Sequence, residues 1–268
     1  MAKRRALAVA AAIWAIAGPG GAAWAGDYCP DRPGLDTPPC TMQQGHLSVE
    51  TSLADWTHTS DDASVTDGLL LGDLALRYGI GARTEARFAW SPYGRIRTRD
   101  RVTGQVSTIS GSGDVTLGIK QNILDPGGEH ISIALLPSVT LATGGDALGA
   151  GTWSAGLQVP VGIAAGKGLT LMLTPAVNAA ANASGQGRHF AYGTAGGIGY
   201  APAPGVNLAA EVSVMRDDDP AGASTNAIAG VSGGVMLSSN LQIDLGAGFG
   251  LNRDSPDRRI TFGLSRRF

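Results

Sequence analysis

The sequence predicts an all-β fold: a closed, antiparallel transmembrane β-barrel of about twelve strands. Three observations carry this. The chain opens on an export leader, it alternates apolar and small or polar residues with a period of two from His46 to its end, and its connections alternate between short and long.

The leader comes first. Met1 to Arg5 is basic, Ala6 to Gly18 is apolar, and Ala23-Trp24-Ala25 fits the small-x-small cleavage rule, so residues 1–25 read as a signal peptide. The apolar run is short for the ~20 residues that a membrane-spanning helix needs. Losing Lys3, Arg4 and Arg5 leaves 17 basic against 22 acidic residues, a net charge of −5 that disfavours nucleic-acid binding. After Gly26 no run is long and apolar enough for a transmembrane helix, so a polytopic helical protein is excluded.

Residues 26–45 read as a short, Pro-rich periplasmic segment. Its two cysteines, Cys29 and Cys40, are the only ones in the chain, and an oxidising compartment permits a disulfide between them. Two thiols without a nearby His fall short of a zinc site, so no metal is expected.

Residues 46–268 form the barrel. In Arg83–Ser91, Thr84, Ala86, Phe88 and Trp90 oppose Arg83, Glu85, Arg87 and Ser91. In 241–252, Leu241, Ile243, Leu245, Phe249 and Leu251 oppose Gln242, Asp244, Gly248 and Asn252. A helix would need apolar residues three and four apart. Strands are expected near 46–58, 67–79, 82–91, 112–123, 129–142, 152–164, 168–181, 189–201, 205–216, 226–237, 240–252 and 258–268. The links at 79–81, 124–128, 165–167, 202–204 and 238–239 are tight. Those at 58–66, 92–111, 143–151, 182–188, 217–225 and 253–257 are longer and polar, as expected of periplasmic turns and extracellular loops. A soluble β-sandwich also alternates, but its buried face needs larger side chains than the Gly, Ala, Ser and Thr found here.

A charge at the lipid midplane costs about 2–4 kcal/mol for Arg or Lys, so charges within strands must face the lumen. That assigns Asp73, Arg77, Arg83, Glu85, Arg87, Asp114, Lys120, Glu211, Asp244, Arg259 and Arg267 to the inner wall, as a salt-bridged filling or as the lining of a polar path. Trp56, Trp90, Tyr93, Trp153, Phe190, Tyr192, Tyr200 and Phe268 fall near strand ends, as in an aromatic girdle. The last strand, with Ile260, Phe262, Leu264 and Phe268 in phase, is similar to the terminal signal read by the barrel-assembly machinery.

Signs of catalysis are few. Gly230-Val231-Ser232-Gly233-Gly234 matches G-x-S-x-G by letters but sits mid-strand, without the strand–turn–helix elbow of a hydrolase. His46, His58, His130 and His189 have no ligand spacing. Asp61-Asp62 and Asp217-Asp218-Asp219 are acidic loop runs, solvated or able to bridge to lipopolysaccharide through a divalent cation.

Three further stretches carry a resemblance: Gly113-Asp114-Val115-Thr116-Leu117-Gly118-Ile119-Lys120 after a long loop, Gly81 to Arg87 after the first tight turn, and Leu136-Pro137 leading to Thr143-Gly144-Gly145. With these the chain resembles a large bacterial family of outer-membrane transporters of the phenol-degradation meta-pathway type. The resemblance implies residence in the outer membrane, among its lipids and lipopolysaccharide, and passive uptake of a small hydrophobic or aromatic solute without enzyme activity or cofactor. The rival readings are an outer-membrane hydrolase acting on lipids and a structural or adhesion barrel without transport.

The leader makes one prediction. The mature protein begins at Gly26, and an intact mass of the membrane form that retains residues 1–25 would refute it.

Overall fold

The computed structural model describes residues 28–268 apart from Asp146; the leader, residues 1–25, lies outside the described residues. Sixteen strand segments follow in chain order: β1 (Leu47–Ser60), β2 (Ser64–Leu71), β3 (Asp73–Gly81), β4 (Thr84–Trp90), β5 (Tyr93–Asp100), β6 (Val106–Gly111), β7 (Val115–Leu124), β8 (Ile131–Leu141), β9 (Ser154–Gln158), β10 (Val161–Gly166), β11 (Leu169–Ala181), β12 (Arg188–Ala203), β13 (Val206–Asp217), β14 (Ser224–Ser238), β15 (Leu241–Gly250) and β16 (Arg258–Arg267).

Four pairs of segments, β2/β3, β4/β5, β6/β7 and β9/β10, are single staves broken in the middle, so the wall has twelve staves, each matching one expected strand. Every pairing between these strands is antiparallel, and β1 closes on β16 from Ser48 opposite Arg267 to His58 opposite Arg258. Closure removes the free edge, which matters because lipid offers no hydrogen bonds to an unpaired backbone. Leu47 and Phe268 complete the seam, each N–H donating to the other's carbonyl.

The short turns carry the backbone geometry such hairpins need. Lys167 and Gly168 both have positive φ (52° and 76°), as a two-residue type I′ hairpin loop requires. Two loops differ from the sequence reading. The connection expected at 92–111 is mostly the hairpin of β5 and β6, and that expected at 58–66 shrinks to a turn at 61–63. Both stretches are largely polar where they stand above the lipid, so they lack the regular apolar phase that marks the other strands.

The molecule is inverted relative to a soluble protein. Its outer face carries Leu171, Ile198, Val212, Leu245 and Phe249, all exposed, whereas Glu50, Arg77, Glu85, Lys120, Asn122 and Gln242 are buried within. In four neighbouring staves this phase turns over once. The register shifts in β1 between Ser52 and Ala54, Gly72 with positive φ separates β3 from β2, Ser91-Pro92 separates β4 from β5, and Ser112 to Asp114 separate β7 from β6. One extra residue sends every later side chain to the other face. Below this row Ser48, Glu50, Arg77, Glu85, Arg87 and Lys120 point inward. Above it the inward residues are Asp55, Leu70, Gly94 and Gly111, opposite one another in register.

The phase yields a paired prediction on β13. Val212→Arg places a charge on the outer face and should cost about 2–4 kcal/mol in unfolding from vesicles. Ser213→Arg, one residue on and facing the lumen, should cost clearly less; equal costs would mean the faces are misassigned.

Candidate functional site: a hooped and charged lumen

The segment 28–45, expected as a periplasmic lead, instead runs inside the barrel, in the half nearer the short turns. Its contacts follow the wall round. Tyr28 Oη lies 2.5 Å from Ser48 Oγ on β1, and the Asp31 and Arg32 amides donate to Glu50 Oε2 at 3.0 and 3.2 Å. The Arg32 guanidinium reaches Asp244 on β15 (2.8 Å) and Thr261 on β16 (3.2 Å). The Leu35 and Asp36 amides donate to Glu211 Oε1 on β13, both at 2.9 Å, and the Thr37 amide donates to Thr174 Oγ1 on β11. Asn122 on β7 donates to the Pro39 carbonyl at 3.1 Å, and the Met42 amide donates to Glu85 Oε2 on β4 at 2.7 Å.

The segment is therefore a hoop lying against the inner wall. Its ends meet at Arg77 on β3, which donates to the carbonyls of both Cys29 (2.8 Å) and Cys40 (3.4 Å). The Cys29–Cys40 disulfide closes the hoop there. A cross-link over a loop of this size contributes about 3 kcal/mol against the open chain. Pro30, Pro33, Pro38 and Pro39 bring no N–H that would need a partner in this confined space. Inward glycines make room for it: a Cβ on Gly162 would stand 3.2 Å from Pro39, and one on Gly230 would stand 2.9 Å from Leu35. A small cavity of about 20 Å³ lies beside the hoop among Pro33, Leu35, Glu211, Gly230, Gly246 and Arg259.

The hoop also resolves an electrostatic conflict in the wall. Arg77 and Arg87 stand directly opposite each other on β3 and β4, a like-charge pair that is unfavourable by itself. Asp31 lies between them, 3.0 Å from Arg77 and 2.5 Å from Arg87, and also takes Lys120 at 3.0 Å. Glu50 and Glu85 bracket Arg77, each at 2.9 Å. The four cations Arg32, Arg77, Arg87 and Lys120 thus meet the four carboxylates Asp31, Glu50, Glu85 and Asp244. Burial works against ionised Asp31, but Arg77, Arg87 and Lys120 outweigh it and hold its carboxyl below the ordinary range. Asp36 behaves oppositely. Burial, and then its hydrogen bond with Glu211, push it up to about 8. Asp36 Oδ2 and Glu211 Oε2 are both buried without a donor, an arrangement that one shared proton relieves.

A second constriction lies at the other end of the lumen. The loop after β8 folds inward, with Asp114 accepting from the Gly144 and Ala150 amides at 2.7 and 2.8 Å. Leu148 is packed so closely over Gly94 that a Cβ there would clash with it.

Of the residues assigned to the lumen by sequence, Arg77, Glu85, Arg87, Lys120, Glu211 and Asp244 meet the hoop. Asp73 accepts from Ser91, and Arg259 pairs with Asp55. One assignment needs correction. Arg83 is exposed in the turn between β3 and β4, because the strand begins one residue later than its alternation suggests. Asp114 faces inward and braces the mouth loop. Arg267 keeps the inward phase at the periplasmic rim, bonded to Asn240 Oδ1 at 2.9 Å and Gln43 Oε1 at 3.5 Å, with its guanidinium near the Tyr28 ring.

Asp31, Arg32, Asp36, Glu50 and Asp55 were missed. Glu50 alternates with Ser48 and Ser52 and was legible on that ground. Asp55 is hidden by the bulge ahead of it, and the hoop residues by their lack of any period.

Ser232 faces the small cavity, and no His is among that cavity's lining residues. At the extracellular rim His189, Asp217 and Asp219 gather within 4.8 Å, but His189 pairs with Asp217 and both oxygens of Asp219 are taken by the Ala183 and Ala221 amides. This cluster pins loops.

The fold is that of outer-membrane barrels. An outer membrane channel from Pseudomonas putida F1 superposes with a TM-score of 0.66 at 16% identity, over 85% of this chain and 97% of that one. The translocator domain of the autotransporter NalP from Neisseria meningitidis matches at 0.55 and 14% identity, over 85% and 90% of the two chains. The NanC porin matches at 0.53 and 12%, over 82% and 98%. Among curated proteins no sequence matches significantly. A family profile covers residues 30–268, nearly the whole described chain, hoop included. The protein is an outer-membrane β-barrel and belongs to the family described as "Putative MetA-pathway of phenol degradation".

Proposed function

We propose that the protein is a passive channel admitting small hydrophobic or aromatic solutes across the outer membrane, without catalysis or cofactor. The observation that carries this reading is the lumen: a polar, charged interior inside an apolar shell, narrowed by a hoop at one end and an infolded loop at the other. Such a lumen excludes bulky solutes and sorts small ones by charge and shape. The family description supports an aromatic solute, and the resemblance to channels supports passage. Phe268, exposed at the end of β16, supports recognition by the barrel-assembly machinery.

Uptake into liposomes carrying the refolded protein tests the reading, with a panel of aromatic acids, neutral aromatics and sugars. Aromatics should enter at least several-fold faster than sugars of equal size. Equal rates, or no entry of any solute by barrel shown to be folded by its heat-shift on a gel, would overturn it.

The Asp36–Glu211 contact adds a pH dependence. Asp36 binds a proton up to about pH 8 when the hoop is seated, against an ordinary value of 3.8 when it is withdrawn. Its contribution to seating is therefore full below about pH 4 and is lost as pH rises to about 8. Protease access to the hoop and solute entry should both increase from pH 5 to pH 8.5, and Asp36→Asn should flatten both profiles. An unchanged slope in that variant would assign the effect elsewhere.

A further inference from the structure

We propose that the outward column Arg95, Arg97 and Arg99 on β5 binds the phosphate groups of lipopolysaccharide in the outer leaflet. The inference starts from the row of bulges. Arg95, Arg97 and Arg99 continue the odd-numbered phase of Glu85 and Arg87, which face the lumen. The break at Ser91-Pro92 turns them over, so the inward residues of β5 become Gly94, Ile96 and Thr98. Thr98 confirms the phase by bonding Thr66 across the inner face, and Gly94 does so by lying under Leu148. Three guanidiniums are thereby aimed away from any solute in the lumen.

Their surroundings do not neutralise them. Among the described residues, none of the three guanidiniums has a hydrogen bond or an ion pair; neighbouring Arg101 donates to Ser60. The one carboxylate in register on this face is Asp67, opposite Arg97, and it is engaged by His58 at 2.9 Å. Asp61 and Asp100 each turn Oδ1 onto the amides of their own turns, and Arg258, in register with His58, adds another cation to the face. Residues two apart on a strand lie about 6.5–7 Å apart. Three like charges at that spacing repel one another until an anion joins them. Guanidinium forks suit phosphate oxygens, which they hold in pairs.

Position identifies the anion. Arg95 is in register with Leu69, and Leu69 with Trp56, so the column begins where the aromatic and aliphatic outer surface ends. From Thr84 at the short-turn end, Arg95 to Arg99 lie eleven to fifteen residues along a tilted stave. That is roughly 28–38 Å up the barrel, beyond an apolar band about 25 Å tall. The longer loops mark this end as extracellular, where the leaflet's headgroups are phosphorylated sugars. Val65, Arg99 and Arg101 line a shallow hollow of about 240 Å³ there, room for part of a sugar phosphate.

The test measures binding of bisphosphorylated lipid A to the folded protein in detergent, with dephosphorylated lipid A, phosphatidylglycerol and inorganic phosphate as separate arms. The wild type should bind bisphosphorylated lipid A at least ten-fold tighter than the other three. The triple variant Arg95→Gln, Arg97→Gln, Arg99→Gln should lose at least ten-fold, whereas the exposed control triple Arg83→Gln, Lys167→Gln, Arg253→Gln should not. A heat-shift gel verifies that each variant is folded. Undiminished binding by the first triple, equal loss in the control, or equal affinity for dephosphorylated lipid A, phosphatidylglycerol or free phosphate would each overturn the proposal. Solute uptake into liposomes without lipid A should be the same in wild type and variant, so this result and the channel reading stand or fall separately.

Discussion

Everything in this structure depends on one constraint: a backbone that crosses lipid must satisfy its own hydrogen bonds. The sheet has to close, and it does so where β1 meets β16 and Leu47 exchanges bonds with Phe268. A closed sheet has an inside. Because strand side chains alternate, half of each stave is committed to that inside, and any charge in the wall is driven there by the cost of facing lipid. The lumen of a narrow barrel therefore collects charge at high density, and the hoop is the answer to that density. Asp31 between Arg77 and Arg87, and Arg32 against Asp244, supply what the wall lacks at each point. The glycines that leave space on the inner face and the charges that fill it are two sides of one fit.

The shell was legible in the sequence because its physics is periodic. Alternation, turn residues and a terminal aromatic strand marked twelve staves, and the cost of a lipid-facing charge assigned Arg77, Glu85, Arg87, Lys120, Glu211 and Asp244 to the interior without any coordinates. Reading failed where the period fails. Val49 to Trp56 contains a bulge, so Asp55 falls out of phase, and Arg83 lies one residue beyond a strand end. The hoop has no period at all. Four prolines and a pair of cysteines read as an exposed lead, because nothing local in 28–45 states that its amides will be matched by Glu50, Glu85 and Glu211, up to 176 residues away. Partners at that separation are set by the tertiary fold alone.

The row of bulges shows how a single extra residue divides labour on one stave. β4 turns its charges inward, where Glu85 and Arg87 join the hoop, and β5 turns its arginines outward. A continuous strand would have put every one of these charges in the lumen. Neighbouring staves carry the matching offset, so the ladder is interrupted once, along one line, and the pairing resumes above it.

The Cys29–Cys40 link has a mechanical consequence. An open segment can peel away from a wall contact by contact, and a conduit blocked by it would widen gradually. A ring has no end from which to peel. Its contacts with β1, β4, β7, β11, β13 and β15 are arranged around one closed loop, tethered to the wall through the few residues between Cys40 and Leu47. Such a part leaves its seat as a whole or stays. In the channel proposed above, currents through single molecules would jump between fixed levels, and reducing the link would blur those levels into a continuum.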